Sequence, residues 1–502
     1  MPRCALLLAV LLAFASVARA SSVPGILLRP SGAHGNSTAM EDGEACLSSD
    51  DYDGAIANFS RAMVDDPKSM QAVIMRANAY SQKDDYDDAI ADVTRAIALD
   101  PKFANAYIMR GTFHDHAGDY ARDIADENAA MKLNPTDLMP YYERGCAYID
   151  AGEYDRAIAD FERCLQPPPP SDPATKTEDT SSTYGLVMID SAGWRPNHYL
   201  GVAYLAKHDL ARADNNFTLA LRANDKSVDD YIQRAAARGQ DGRRDAALAD
   251  FAKALEIDPK NAEAYNQRGI LFMRNGDFKS AVADFHAALQ IDPKYLAAHN
   301  NLGMAYLDAG DPDQAIAEET QALAIDPSST LAYSNRAQAF AAKGDESGVI
   351  ADFNRAQAVA PKDPAMLSNF ALVFTKMGDY GRAVAGFEQA LALDPGFGGA
   401  SNNLAWLLAT CPDAKFRDGK RALAEATAAC KLTSWEDPVS LDTFAAACAE
   451  AGDFDAAVKW EQRVLALPSL APSDVEGARE RLALFQAHKT YQEAPPAPAG
   501  PR

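Results

Sequence analysis

Apolar residues recur along most of this chain at spacings of three and four, the period of a helix with one buried face. The periodic runs are cut by two alternating punctuation marks. Pro67, Pro101, Pro135 and Pro169 stand 34 residues apart, and so do Pro259, Pro293, Pro327, Pro361 and Pro395, most of them directly after an aspartate. Proline lacks an amide donor and disfavours helix in the residue before it, so each ends a helix. The second mark falls mid-period, in Gly118-Asp119, Gly276-Asp277, Gly310-Asp311, Gly344-Asp345, Gly378-Asp379 and Gly452-Asp453. Glycine takes the left-handed conformation that closes one helix, and aspartate caps the next. At Asp311, Pro312 follows at the first helical position and Gln314 stands three after the cap, a capping-box arrangement. Each period is therefore two helices joined by a tight turn, and the expected fold is all-α.

Within residues 262–295 the large apolar positions are Tyr265, Phe272, Phe278 and Phe285, with Gly269, Ala281 and Ala288 between them. The small residues let paired helices approach, and the rings are expected to fill the space toward the next unit. One such unit cannot bury its apolar surface alone; stacking buries it in a continuous core. Gly269→Leu would overpack this close approach.

These positions resemble the tetratricopeptide repeat (TPR). Residues 364–397 carry the family's pattern as Leu367, Ala371, Phe374, Ala383, Phe387, Ala390 and Pro395, and residues 138–171 as Tyr141, Gly145, Tyr148, Ala157, Phe161, Cys164 and Pro169. The resemblance implies a right-handed TPR solenoid of about twelve helix-turn-helix repeats. Four lie in residues 36–171, and eight start at 194, 228, 262, 296, 330, 364, 398 and 438 within 194–471. The first is degenerate, with Cys46 at a usually aromatic position. Residues 172–193 interrupt the register as an inserted loop or hinge, following the polyproline run Pro167 to Pro170 and rich in Ser, Thr and Asp up to 183. A second interruption, around Cys411 to Arg417, lengthens one turn. Residues 472–493 are expected to form a capping helix, like the C-terminal module of many bacterial TPR-rich proteins, and 494–502 a disordered tail.

The first residues stand apart from this pattern. Arg3, the apolar run Ala5 to Val17 and Ala18-Arg19-Ala20 read as a signal peptide over 1–20, with Ser21 as the mature start and 21–35 as a linker. Export to a periplasmic or extracellular compartment is the expectation. No other segment is apolar enough over about 18 residues to span a membrane. Removal of Cys4 with the leader would leave Cys46, Cys146, Cys164, Cys411, Cys430 and Cys448. They lack CxxC spacing, and most are expected as buried free thiols.

Chemistry changes the picture little. A net charge of −23 disfavours phosphate backbones and anionic lipid. Phosphate-loop, nucleophile-elbow and His-Glu-x-x-His motifs are missing from the sequence, so no catalytic residue, cofactor or metal is expected. His114 and His116, flanking Asp115, are the one pair with ligand spacing, but His114 falls at an aromatic packing position.

What remains is binding. In the family the first helix of each repeat lines a concave groove, at positions near 2, 5, 6, 9, 12 and 13. Position 6 of four successive units holds Asn301, Asn335, Asn369 and Asn403. Side-chain amides both donate and accept, so such a row can hold an extended peptide backbone. The row resembles the asparagine ladder in the repeat arm of O-linked N-acetylglucosamine transferase. If it binds, its amides should be partly exposed and unpaired. The carboxylate clamp that grips chaperone C-termini is not matched, since Met304, Ala365 and Asn369 stand where it needs asparagine, lysine and arginine. The expected function is a scaffold for a protein or peptide partner. The alternative is the substrate-recruiting subunit of an envelope enzyme or transferase complex.

Overall fold

The computed structural model describes residues 38–166, 195–467, 469–471 and 473–495. Among these, 25 α-helices form and no strand. The signal peptide, the linker over 21–35, the insert over 172–193 and most of the tail from 494 lie outside the described residues. Contacts divide the fold into two compact units, meeting in sequence at residues 259 and 260.

The first unit holds six helix pairs. They are α1 (Thr38–Ser48) with α2 (Tyr52–Asp65), α3 (Met70–Ser81) with α4 (Tyr86–Leu99), and α5 (Ala104–His116) with α6 (Tyr120–Leu133). Then come α7 (Met139–Asp150) with α8 (Tyr154–Cys164), α9 (Pro196–Ala206) with α10 (Leu210–Ala223), and α11 (Val228–Gln240) with α12 (Arg244–Ile257). The second unit holds six more and a terminal helix. Its pairs are α13 (Ala262–Arg274) with α14 (Phe278–Ile291), α15 (Leu296–Asp308) with α16 (Pro312–Ile325), and α17 (Thr330–Ala342) with α18 (Glu346–Val359). They continue with α19 (Pro364–Met377) and α20 (Tyr380–Leu393), α21 (Gly398–Thr410) and α22 (Gly419–Leu432), then α23 (Pro438–Glu450) and α24 (Phe454–Ala466), closed by α25 (Val475–Gln486).

The punctuation works as its chemistry dictates. All six glycines of the Gly-Asp series have positive φ, and Gly378 at 80° ends α19. Each partner aspartate caps the following helix; Asp311, for example, accepts the Gln314 N–H at 3.2 Å. Where the same turn position lacks glycine, Asp50, Asp84 and His208 take φ of 58–61° themselves. The turn geometry is thus imposed by the packed pair, against a left-handed cost of about 1–2 kcal/mol for an L-residue. At the other mark, the Asp-Pro aspartate ends the helix and accepts an N–H two residues on, as Asp292 does from Lys294 at 2.9 Å.

The rings sit differently from the sequence expectation. Phe285 is fully buried inside its own pair, where a Cβ on Gly269 would come within 2.6 Å of the ring. Gly145 with Phe161 and Gly201 with Phe217 repeat the arrangement. The aromatic at position 24 therefore fills the hole left by the small residue at position 8, rather than only bridging to the next unit.

Either side of the insert, α8 and α9 pack directly. Phe161 stacks on Tyr199 at 5.4 Å, and the Arg195 backbone N–H donates to Tyr142 Oη at 3.3 Å. The six cysteines are unpaired, and all but Cys46 are buried. In the second unit α25 buries Ala478 and Phe485 completely, and it stops at Gln486, short of the 493 to which the sequence extends the helix.

Candidate functional site

The four asparagines do not share one environment. Asn335 is 4% exposed, and its amide faces the carboxyl of Glu319. Asn301 is half-buried and donates to Asn266 Oδ1 at 2.9 Å. The expectation of four exposed, unpaired amides therefore fails at these two, because neighbouring repeats supply polar partners at positions 5 and 24. Asn369 and Asn403 are half-buried, and no hydrogen bond ties either within the described residues.

Those two share their helix faces with other polar and aromatic groups. On α21, Asn403, Trp406 and Thr410 follow spacings of three and four, so they lie along one face. On α19, Lys376 stands seven residues after Asn369, again on one face, and its ammonium donates to Gln338 Oε1 on α17 at 3.3 Å. Surrounding protein lowers the Lys376 pKa from its ordinary value, while Asp308 opposes that shift.

Two further patterns were not read from the sequence. In six pairs an arginine at position 7 forms a bidentate ion pair with an aspartate sixteen residues later: Arg76–Asp92, Arg110–Asp126, Arg144–Asp160, Arg234–Asp250, Arg268–Asp284 and Arg336–Asp352. Arg336 also donates to Thr320 of the preceding pair at 3.0 Å, and Arg76, Arg110 and Arg234 reach Ser60, Thr94 and Thr218 likewise. The Arg-x15-Asp spacing was visible; its meaning depends on knowing that the two positions face each other. The second pattern is glutamate at the aromatic position 24. Glu127, Glu319 and Glu461 are at most 1% exposed, and burial raises the pKa of each, most strongly assisted by Asp123 at Glu127 and by Asp442 at Glu461.

His114 is buried, with its pKa lowered by desolvation, and His116 stacks on Tyr86 at 5.4 Å. Among the described residues no group of three or more His, Cys, Asp or Glu could hold a metal ion. No helix there is long and apolar enough to cross a membrane.

Stacked helix pairs of this kind define a helical-repeat scaffold for protein interactions, a fold typically without catalysis of its own. Models of the tetratricopeptide repeat match residues 74–137, 139–166, 240–276, 260–328, 300–364 and 366–400. The chain is a tetratricopeptide-repeat protein. No curated protein sequence matches it. Among solved structures it is similar to yeast Tom70, at 15% identity and a TM-score of 0.48 over 89% of this chain and 95% of that one. It is also similar to a tetratricopeptide repeat protein from Parabacteroides merdae, at 16% identity and a TM-score of 0.41 over 53% and 97%. A third likeness is YrrB, a TPR protein described as having an unusual peptide-binding site, at 20% identity and 0.30 over 41% and 95%.

Proposed function

We propose that the protein is an exported scaffold that binds an extended protein segment along the inner face of its C-terminal repeats, the face holding Asn369 and Asn403. The observation that carries the reading is a pair of half-buried amides, on α19 and α21, with no hydrogen-bond partner among the described residues. Leaving such groups unpaired is costly unless water or a ligand satisfies them. Lys376 adds a cation, so the partner segment carries acidic groups.

The test compares two double variants. Asn369→Ala/Asn403→Ala should weaken capture of the partner from the exported fraction, each lost bond being worth about 0.5–1.5 kcal/mol. Helix content should hold, since alanine is the better helix former. Asn301→Ala/Asn335→Ala should leave affinity near the parent's and act on melting temperature instead. Equal affinities for the parent and the Asn369→Ala/Asn403→Ala variant would remove these amides from recognition.

Export has its own readout. Mass spectrometry of protein recovered outside the cytoplasm should find Ser21 at the N-terminus; an intact Met1 there would rule out cleavage at Ala20. A role as the recruiting subunit of an envelope enzyme is the second reading, and it predicts that the captured partner is itself an enzyme.

A further inference from the structure

After α25 the chain turns back onto α21. His488 takes φ 54°, the Lys489 N–H closes on Leu484 O at 2.9 Å, and the residues that follow carry no regular structure. The Tyr491 ring then lies 5.9 Å from that of Trp406. The Trp406 indole N–H donates to Glu493 Oε1 at 2.9 Å, and the Glu493 N–H donates to the Thr410 carbonyl at 2.9 Å. Arg481 Cζ stands 5.6 Å from both rings. Tyr491 and Glu493 are half-buried while Gln492 between them is exposed, the period of an extended strand.

Each contact is one that an extended peptide makes with a helical groove. Thr410 ends α21, so its carbonyl has no partner within the helix and is open to a main-chain N–H. The indole offers a single N–H donor, which a carboxylate takes. The aromatic pair fixes orientation. Phe485 and Ala478 of α25 are fully buried against the last repeats, and Tyr491 packs only partly buried against that core. The segment also leaves Asn403, one turn from Trp406 on the same helix, without a hydrogen bond.

We infer that the Trp406–Thr410 face is a peptide-binding site held in cis by Tyr491–Glu493, and that its partner is an extended segment with an aromatic residue followed two positions later by an acidic one. The inference rests on the reading of this face as the partner site, and names the partner's chemistry. A tethered segment competes at an effective concentration near millimolar, so it excludes weak ligands and yields to strong ones.

The experiment uses a labelled peptide copying residues 488–495, titrated into the full chain and into a Tyr491→Ala/Glu493→Gln variant whose own segment can no longer dock. The variant should bind the peptide about tenfold tighter than the parent. On that same variant, peptides with the tyrosine changed to alanine or the glutamate to glutamine should lose most of the affinity, and Trp406→Ala should abolish binding. Equal binding by parent and variant, or by a scrambled peptide, would overturn the inference. A chain ending at Thr490 serves as second variant; a collapse of stability in both would make the segment part of the core and overturn it too. If the peptide fails but Asn369→Ala/Asn403→Ala still weakens partner capture, the tail inference falls and the scaffold reading stands. If both fail, both fall.

Discussion

Arg336→Ala is expected to destabilise the middle of the C-terminal unit by about 3–5 kcal/mol, the range seen when one partner of a buried ion pair is removed. Asp352 is 1% exposed, and Arg336 holds it through Nε at 2.9 Å and Nη2 at 2.7 Å. Its third donor reaches Thr320 in the preceding pair. Alanine would therefore leave a buried carboxylate with only the long 3.5 Å contact of the more exposed Arg355, and cut a link between repeats. The pair itself need not stabilise relative to an apolar one, because desolvating both ions offsets their attraction. Arg336→Met with Asp352→Leu should consequently recover most of the loss. Stability in a stacked array spreads through neighbouring interfaces, so the local effect is best read by amide hydrogen exchange over α17 and α18 beside the thermal melt. Protection there equal to the parent's would mean that the ion pair is not holding the two helices.

The fold was legible in the sequence because each of its devices is local. A proline every 34 residues, a glycine-aspartate pair between, and small residues opposite aromatics need no tertiary knowledge to interpret. The site was less legible, because identity of position is not identity of environment. Asn335 and Asn369 occupy the same repeat position, yet Glu319 faces the first, while among the described residues no side chain bonds the second. The preceding repeats differ at position 24, Glu319 against Phe353, and at position 5, Asn300 against Ser334. The docked segment was illegible for another reason: Tyr491 and Glu493 carry no periodic signal, and their meeting with Trp406 depends on where α25 points them. The proline-rich end of the chain reads as disordered by composition, and the hydrogen bonds of Glu493 lie just before it.

The glutamates at position 24 lead to the second large effect. Gly303 sits against Glu319 Oε1, at 2.6 Å from where a Cβ would be, just as Gly269 sits against the Phe285 ring. An acid thus occupies a hole shaped for an aromatic, with the Asn335 amide turned toward its carboxyl. Burial raises the Glu319 pKa well above the ordinary 4.5, although Asn335 and Arg336 oppose the rise. In the folded protein the acid therefore keeps its proton at pH values where the unfolded chain has lost it. Below about 4.5 both states are protonated, and the contribution to stability is complete; as pH rises toward the folded value, it is lost at about 1.4 kcal/mol per pH unit for each such group. Glu127 shares the direction. The protein should accordingly melt at a higher temperature at pH 5 than at pH 8. Repulsion within a chain of net charge −23 also eases toward acid, so the parent's slope alone does not isolate the glutamate. Glu319→Gln does, because glutamine cannot ionise in either state. Its melting temperature should match the parent's near pH 5 and exceed it increasingly toward pH 8, and Glu319→Phe should do the same with added stability from filling the hole over Gly303. Parallel pH profiles for parent and Glu319→Gln would show that Glu319 ionises in the folded state, with water or a rearranged Arg336 taking up its charge.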